Sequence, residues 1–389
     1  MNEHNKDKIV KIFENVFKAE ADSVFFAPGR VNLIGEHTDY NGGHVFPCAI
    51  DLGTYCAAKA SKSNEFRFYS DNFPDNGIIS VKLDKLNKTG LWADYPIAVV
   101  KAFRSYGYIF PHGADMAFFG DLPDGSGLSS SAALEVLTGT VLNTLYKLSA
   151  TKQELALIGQ FAENRFIGVN CGIMDQFASA MGKRDNAVLL DSYTLDYSYA
   201  PIPREKASIL IVNSGVKHSL ASSAYNDRRR ECETALAELR RHIDAPSLCA
   251  LSDDEFEKNA QYITEPICRK RARHAVYENS RTITALAALK NGDLSAFGRL
   301  MNESHRSLSE DYEVSCKELD LLVKTAQGID GVLGARMTGG GFGGCTVNLV
   351  ENGSVEAFER TIHDIYSKET GIVPKIYKIS AEDGAKELR

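Results

Sequence analysis

The sequence predicts an α+β fold built in two lobes with a cleft between them. A chain of 389 residues exceeds what a single hydrophobic core organises. Strand signals crowd its first third, and helical and strand patterns then mix without the strict alternation of a parallel βαβ protein. Apolar residues at 44%, against 24% charged, give each lobe enough to bury a core.

Taken in order, residues 24–27, 45–50 and 66–68 read as strands, and residues 79–83 (ISVKL) place an apolar side chain at every second position. Ser129, Ser130 and Ser131 precede a run in which Leu134, Leu137, Val141, Leu145 and Leu148 fall three or four apart, the pattern of a serine-capped amphipathic helix. Residues 209–212 read as a further strand. The proline-containing stretch 199–203 (YAPIP) before it sets the expected boundary, giving an N-terminal lobe of residues 1–204 and a C-terminal lobe of residues 205–389. Charged helices are expected over 226–243 and 269–291, and a glycine cluster at 339–344 leads into a strand over 345–350.

Charge and cysteine usage narrow the function classes. A net charge of -7 and a pI near 5.8 disfavour general nucleic-acid binding, so an anionic ligand has to be met by local features. The eight cysteines show neither a C-x-x-C pair nor zinc-ligand spacing, which reads as free thiols in a reducing compartment. The opening residues MNEHNKDKIVKIF are too polar for a signal peptide, and no stretch approaches the ~18 apolar residues of a membrane span. The expectation is a cytoplasmic monomer.

Three segments concentrate chemistry. Residues 123–132 (PDGSGLSSSA) form a glycine-containing loop that opens into the helix. Inward-turned backbone N–H groups, a helix N-terminus and serine hydroxyls make such a junction an anion site; the alternative is a turn with a serine cap. No Walker A loop and no protein-kinase signature occurs in the chain, so a nucleotide has to bind by another scheme. Residues 27–43 (APGRVNLIGEHTDYNGG) crowd Arg30, Asn32, Glu36, His37, Thr38 and Asp39 after a strand. That density of donors and acceptors suits sugar hydroxyls, or equally a solvated polar loop. Residues 336–346 (RMTGGGFGGCT) interrupt a glycine run with Phe342 and pass directly into a strand pattern, which favours a rigid loop lining a cleft over a flexible linker.

Together these segments resemble, in order and spacing, the three signature motifs of the family of sugar, homoserine, mevalonate and phosphomevalonate kinases (the GHMP kinases), and residues 29–43 are similar to the signature of its galactokinase branch. Residues 171–176 (CGIMDQ), 213–225 (NSGVKHSLASSAY) and 311–320 (DYEVSCKELD) extend the resemblance over nearly the whole chain. It implies an N-terminal lobe like the second domain of ribosomal protein S5, a ferredoxin-like C-terminal lobe and an active site between them. The implied reaction moves the γ-phosphoryl group of ATP onto the anomeric hydroxyl of galactose with the help of Mg²⁺. The resemblance further implies Glu36, His37, Thr38, Asp39 and Tyr225 as galactose ligands, and Gly125, Ser126, Gly127, Leu128, Ser129, Ser130 and Ser131 as the phosphate cradle. Ser131 and Glu163 are its implied Mg²⁺ ligands, Trp92 and Ser70 its contacts on the adenosine side, and Asp175 its base, with Arg30 as charge partner.

Two rivals share these loops. Kinases of N-acetylgalactosamine depart from the Thr-Asp-Tyr-Asn-Gly-Gly run after the Glu-His pair, whereas residues 38–43 keep it; an arabinose kinase is the other sugar alternative. Non-catalytic galactose sensors lack a Ser-Ala pair inside the phosphate loop, whereas Ser131 and Ala132 are present. Galactose phosphorylation is the favoured reading.

Overall fold

The computed structural model describes residues 3–123, 127–216 and 221–388. The first lobe is a six-stranded sheet in the order Lys386–Leu388, Ser23–Asn32, Pro47–Ala60, Ala114–Gly120, Glu65–Ser70, Ile79–Lys82. Strand Ser23–Asn32 is buried almost end to end because both faces are covered, and its side chains divide with a period of two. Val24 and Phe26 join Ile9 and Phe13 of helix Glu3–Phe17 in one apolar cluster; Phe25 and Ala27 join Val136 and Leu137 of helix Ser130–Leu145 in another. The edge strand Ile79–Lys82 alternates buried and exposed residues, as its sequence requires.

The second lobe holds a four-stranded antiparallel sheet in the order Val332–Thr338, Cys345–Glu351, Ala207–Asn213, Lys375–Ile379. Along the chain, helices separate Ala207–Asn213 from Val332–Thr338 and Cys345–Glu351 from Lys375–Ile379, which is the βαββαβ plan of a ferredoxin-like lobe. Helices Leu294–Glu310, Lys317–Gln327 and Val355–Thr370 lie against this sheet. A small sheet of His44–Val45, Asn186–Asp191 and Tyr197–Pro201 stands beside the two.

Residue 204 falls between strands Tyr197–Pro201 and Ala207–Asn213, yet the chain crosses back at its end, where Leu388 pairs opposite Val24. One apolar cluster also joins Val31, Ile34 and Phe46 to Ile211, Phe297 and Val347, so the lobes share a core. The strand expected over 45–50 is broken at Phe46, whose N–H donates to Ile34 O at 3.0 Å and Asn32 Oδ1 at 3.2 Å rather than to a sheet neighbour. The helices expected over 226–243 and 269–291 run over Ala221–Leu239 and Pro266–Lys290, the second opening on a proline that suits the first turn. Among the described residues no helix is long and apolar enough to cross a membrane.

Candidate active site

Strand Ser23–Asn32 carries Arg30 to the junction of the lobes, where the residue is 4% exposed. Its Nε and Nη2 donate to Oδ1 and Oδ2 of Asp175 at 2.7 Å each, a bidentate pair, and its Nη1 donates to Gly127 O at 2.7 Å. Burial alone would lower the guanidinium pKa, but Asp175 and then Glu36 outweigh it and hold Arg30 above its ordinary value. Asp175 opens helix Met174–Met181, and Ser129 Oγ donates to its Oδ2. This corrects the expected serine cap. Ser129 has left-handed backbone at φ 63° and makes no cap bond, because its hydroxyl is committed to Asp175. Helix Ser130–Leu145 thus begins without a side-chain cap on its first-turn N–H groups.

The polar loop after this strand is braced from the second lobe. Glu36, 1% exposed, accepts from Gly339 N–H at 2.7 Å and Thr338 Oγ1 at 3.2 Å through one oxygen, and from Asn32 Nδ2 at 2.9 Å through the other. Burial raises its pKa against the pull of Arg336 and Arg30. His37 has φ 63° and meets Tyr40 Oη through Nδ1 at 2.8 Å. Burial, then His274 and Arg336, push its pKa down to about 3, so the ring is neutral at neutral pH. Asp39 accepts from Tyr40 N–H at 3.0 Å and Met174 N–H at 3.4 Å. Burial and then Asp175 raise its pKa to about 6 despite those bonds. Gly172 is what lets the carboxylate in: a Cβ there would stand 1.7 Å from Asp39 Oδ2.

Thr38, expected among the sugar ligands, is fully buried; its hydroxyl faces the carbonyls of Gly35 at 2.9 Å and His44 at 2.6 Å, where it clamps the loop, and it does not line the cavity. Buried Glu278 anchors the same loop by accepting from Gly35 N–H at 2.9 Å. Burial would raise the Glu278 carboxyl, but Arg281, His274 and Arg336 bring it down to about 2.

A cavity of about 420 Å³ opens between these groups, lined by Arg30, Glu36, His37, Asp39, Tyr40, Ser131, Glu163, Asp175, Tyr225, Gly339 and Gly340. Tyr225 places its ring centroid 5.7 Å from that of His37 and 5.5 Å from that of Tyr40. A second cavity of about 220 Å³, lined by Ser70, Trp92, Tyr95, Phe118, Ser130 and Ser131, shares Ser131 with the first. Glu163, 6% exposed, begins a single π turn, Glu163–Ile167. Its Oε2 accepts from Gln176 Nε2 at 2.7 Å and Cys171 Sγ at 3.3 Å, and the carboxylate also meets the Ser131 hydroxyl. Burial and then Asp175 raise its pKa. Leu128 offers only backbone, its carbonyl accepting from Arg30 N–H at 3.2 Å while its side chain is buried in the core shared by the lobes. Gly125 and Ser126 lie outside the described residues. A third cavity of about 410 Å³ near Asp185, Arg204 and Lys378 contains none of the motif residues.

Sequence reasoning gave no role to Tyr40, Gly172, Gln176 or Arg336, although each lies inside a quoted motif, and nothing in the sequence marked Glu278. Arg336 is fully buried, with Nη1 donating to Asn32 O at 3.1 Å and Nη2 3.6 Å from Glu36 Oε1.

Comparisons with known proteins identify the family. The galactokinase galactose-binding signature matches residues 11–60, the N-terminal domain of GHMP kinases residues 94–183 and their C-terminal domain residues 285–368. A galactokinase of Clostridium beijerinckii is 49% identical over 378 residues, 97% of each chain. One of Lacticaseibacillus casei is 49% identical over 386 residues, covering 99% of this chain and 100% of the relative. The crystal structure of Lactococcus lactis galactokinase complexed with galactose matches with a TM-score of 0.96 and 42% identity, over 98% of this chain and 100% of that one. The Methanococcus jannaschii mevalonate kinase, at TM-score 0.63 and 20% identity over 92% of this chain and 98% of its own, shares the fold. The chain therefore belongs to the galactokinase family of the GHMP kinases, phosphotransferases that use ATP to phosphorylate a sugar hydroxyl.

Proposed function

We propose that this chain transfers the γ-phosphoryl group of ATP to the C1 hydroxyl of α-D-galactose, giving galactose 1-phosphate and ADP, the first committed step of galactose catabolism. The observation behind this reading is convergence: the sugar-loop carboxylates, the Arg30–Asp175 pair and Ser131 surround one cavity, and Ser131 also walls the aromatic one. Galactose occupies the first cavity, where Asp39, His37 and Tyr225 face the ring hydroxyls and Glu36 braces the loop. The purine occupies the second. There the Trp92 ring stands edge-on to Phe118 at 5.6 Å, and its Nε1, buried with no hydrogen bond inside the chain, is a donor for a purine nitrogen. The phosphates between them pass the uncapped start of helix Ser130–Leu145, whose N–H groups and dipole favour anions.

The Ser131 hydroxyl and the Glu163 carboxylate meet where the cavities join, and two hard oxygen donors fit Mg²⁺, which keeps most of its waters. These residues would hold the ion, which when bound neutralises charge on the β- and γ-phosphates. Asp175 takes the proton of the C1 hydroxyl as the oxygen–phosphorus bond forms and the bond to the β,γ-bridging oxygen breaks, releasing ADP. A positioned base of this kind contributes ~10²- to 10⁴-fold. Arg30 fixes Asp175 through two parallel hydrogen bonds and sets positive charge beside the group in transit. The reading extends to a cytoplasmic monomer, which suits eight free thiols, six of them buried.

Incubation with ATP, Mg²⁺ and galactose labelled with carbon-13 at C1, followed by phosphorus and carbon NMR, tests the reaction. Carbon–phosphorus coupling at C1 of the α anomer with stoichiometric ADP is expected. Phosphate on C6, or ADP without a sugar phosphate, contradicts it.

A further inference from the structure

A buried amide and a buried carboxyl stand behind the site with no part in the reaction as derived. Glu135 on helix Ser130–Leu145 and Gln176 on helix Met174–Met181 are both fully buried. Gln176 Nε2 spends its two hydrogens on Glu163 Oε2 at 2.7 Å and Glu135 Oε2 at 2.9 Å. Cys171 Sγ donates to the same Glu163 oxygen at 3.3 Å. Space has been made for this arrangement: a Cβ on Gly159 would stand 3.1 Å from Gln176 Cγ and 3.5 Å from Glu135 Cβ. Burying a carboxyl group is costly, and an apolar residue at 135 would fill the helix interior without that cost.

We infer that Glu135 and Gln176 are positioning residues, which hold the Glu163 carboxylate by one oxygen so that the group stays turned toward Ser131 and the cavity. The inference rests on the reading of Glu163 as a Mg²⁺ ligand. Glutamate has three rotatable side-chain bonds and gains nothing from a long reach unless it is held; Gln176 holds it, and Glu135 holds Gln176 by accepting its second N–H. Because Gln176 follows Asp175 directly, one helical turn sets both the base and the metal ligand.

Trp92 is the only tryptophan and lines the second cavity, so its fluorescence follows nucleotide binding without turnover. Mg²⁺ is titrated against a fixed concentration of a non-hydrolysable ATP analogue, with melting temperature and calorimetric galactose affinity measured on the same samples. Gln176→Met, which keeps length but has no N–H, raises the Mg²⁺ half-saturation about tenfold, the scale at which groups behind a ligand tune metal affinity. Glu135→Leu raises it in the same direction, Glu135→Gln, which keeps an acceptor oxygen, returns it to near wild type, and galactose affinity stays within about twofold throughout. Glu163→Ala separates the two layers. If Glu163→Ala leaves the half-saturation unchanged, the ligand reading falls and this inference with it. If Glu163→Ala raises it while Gln176→Met and Glu135→Leu fold and do not, this inference alone is overturned; should one of those two fail to fold, the other decides.

Discussion

Replacing Asp39 with asparagine should make the protein more stable at high pH while weakening its hold on galactose. The carboxylate is buried near Asp175 and Glu36, and its pKa stands at about 6 against an ordinary 3.8. A folded value above the unfolded one means that the group's contribution to stability is complete below about pH 4 and is lost as pH rises through about 6. Two units at 1.36 kcal/mol each put that loss at roughly 3 kcal/mol by pH 8. Asparagine carries no charge and keeps an oxygen for one of the two backbone N–H groups of Tyr40 and Met174, so about 1 kcal/mol is forfeited for the other. The net expectation is a gain of about 2 kcal/mol at pH 8 that shrinks to about zero at pH 4.5. Urea unfolding of both proteins at the two pH values measures it, and calorimetry on the same samples should show galactose binding weakened in the variant. A variant that loses the same stability at both pH values would refute the electrostatic account of Asp39.

Asp175→Asn should lower kcat by ~10²-fold or more with galactose affinity little changed. Since it also leaves buried Arg30 facing an amide, ~3 kcal/mol of stability should go with it, so turnover at saturating substrate is the deciding readout, and a normal kcat removes Asp175 from the chemistry. Gly172→Ala should push the Asp39 carboxylate out of place and cost up to ~10²-fold in kcat/KM, as an ångström of misplacement can; an unchanged galactose Kd would show that the carboxylate has room to move. Thr38→Val should cost ~1–2 kcal/mol of stability through the two carbonyls it leaves, yet keep the preference for galactose over its epimers; lost preference with normal stability would make Thr38 a ligand after all.

Local pattern was legible wherever local physics decides. The alternation over residues 79–83, the glycine-to-helix junction before Ser130 and the rigid third loop all correspond to structure, the last with Gly341 at φ 82° and the Phe342 N–H donating to Val314 O at 2.7 Å. What the sequence concealed are partners set by the tertiary fold. Ser129 reads as a cap until Asp175, 46 residues on, is seen to take its hydroxyl, and Glu36 reads as a free ligand until Gly339, 303 residues on, takes one of its oxygens. Glu278 shows as one more acid on a charged helix, and only the fold brings it to Gly35. Nothing local marks Glu163 as buried either, and only the fold brings Gln176 and Ser131 on other helices to its carboxylate.

The most direct test of the account compares kcat/KM for galactose and for glucose, its C4 epimer, with ATP and Mg²⁺ in a coupled assay of ADP release. A site whose buried carboxylates and neutral His37 are built around one set of hydroxyls leaves polar groups unpaired when one hydroxyl points elsewhere. A preference for galactose on the order of 10⁴-fold is predicted. Equal values for the two sugars would contradict the assignment of this cavity to galactose.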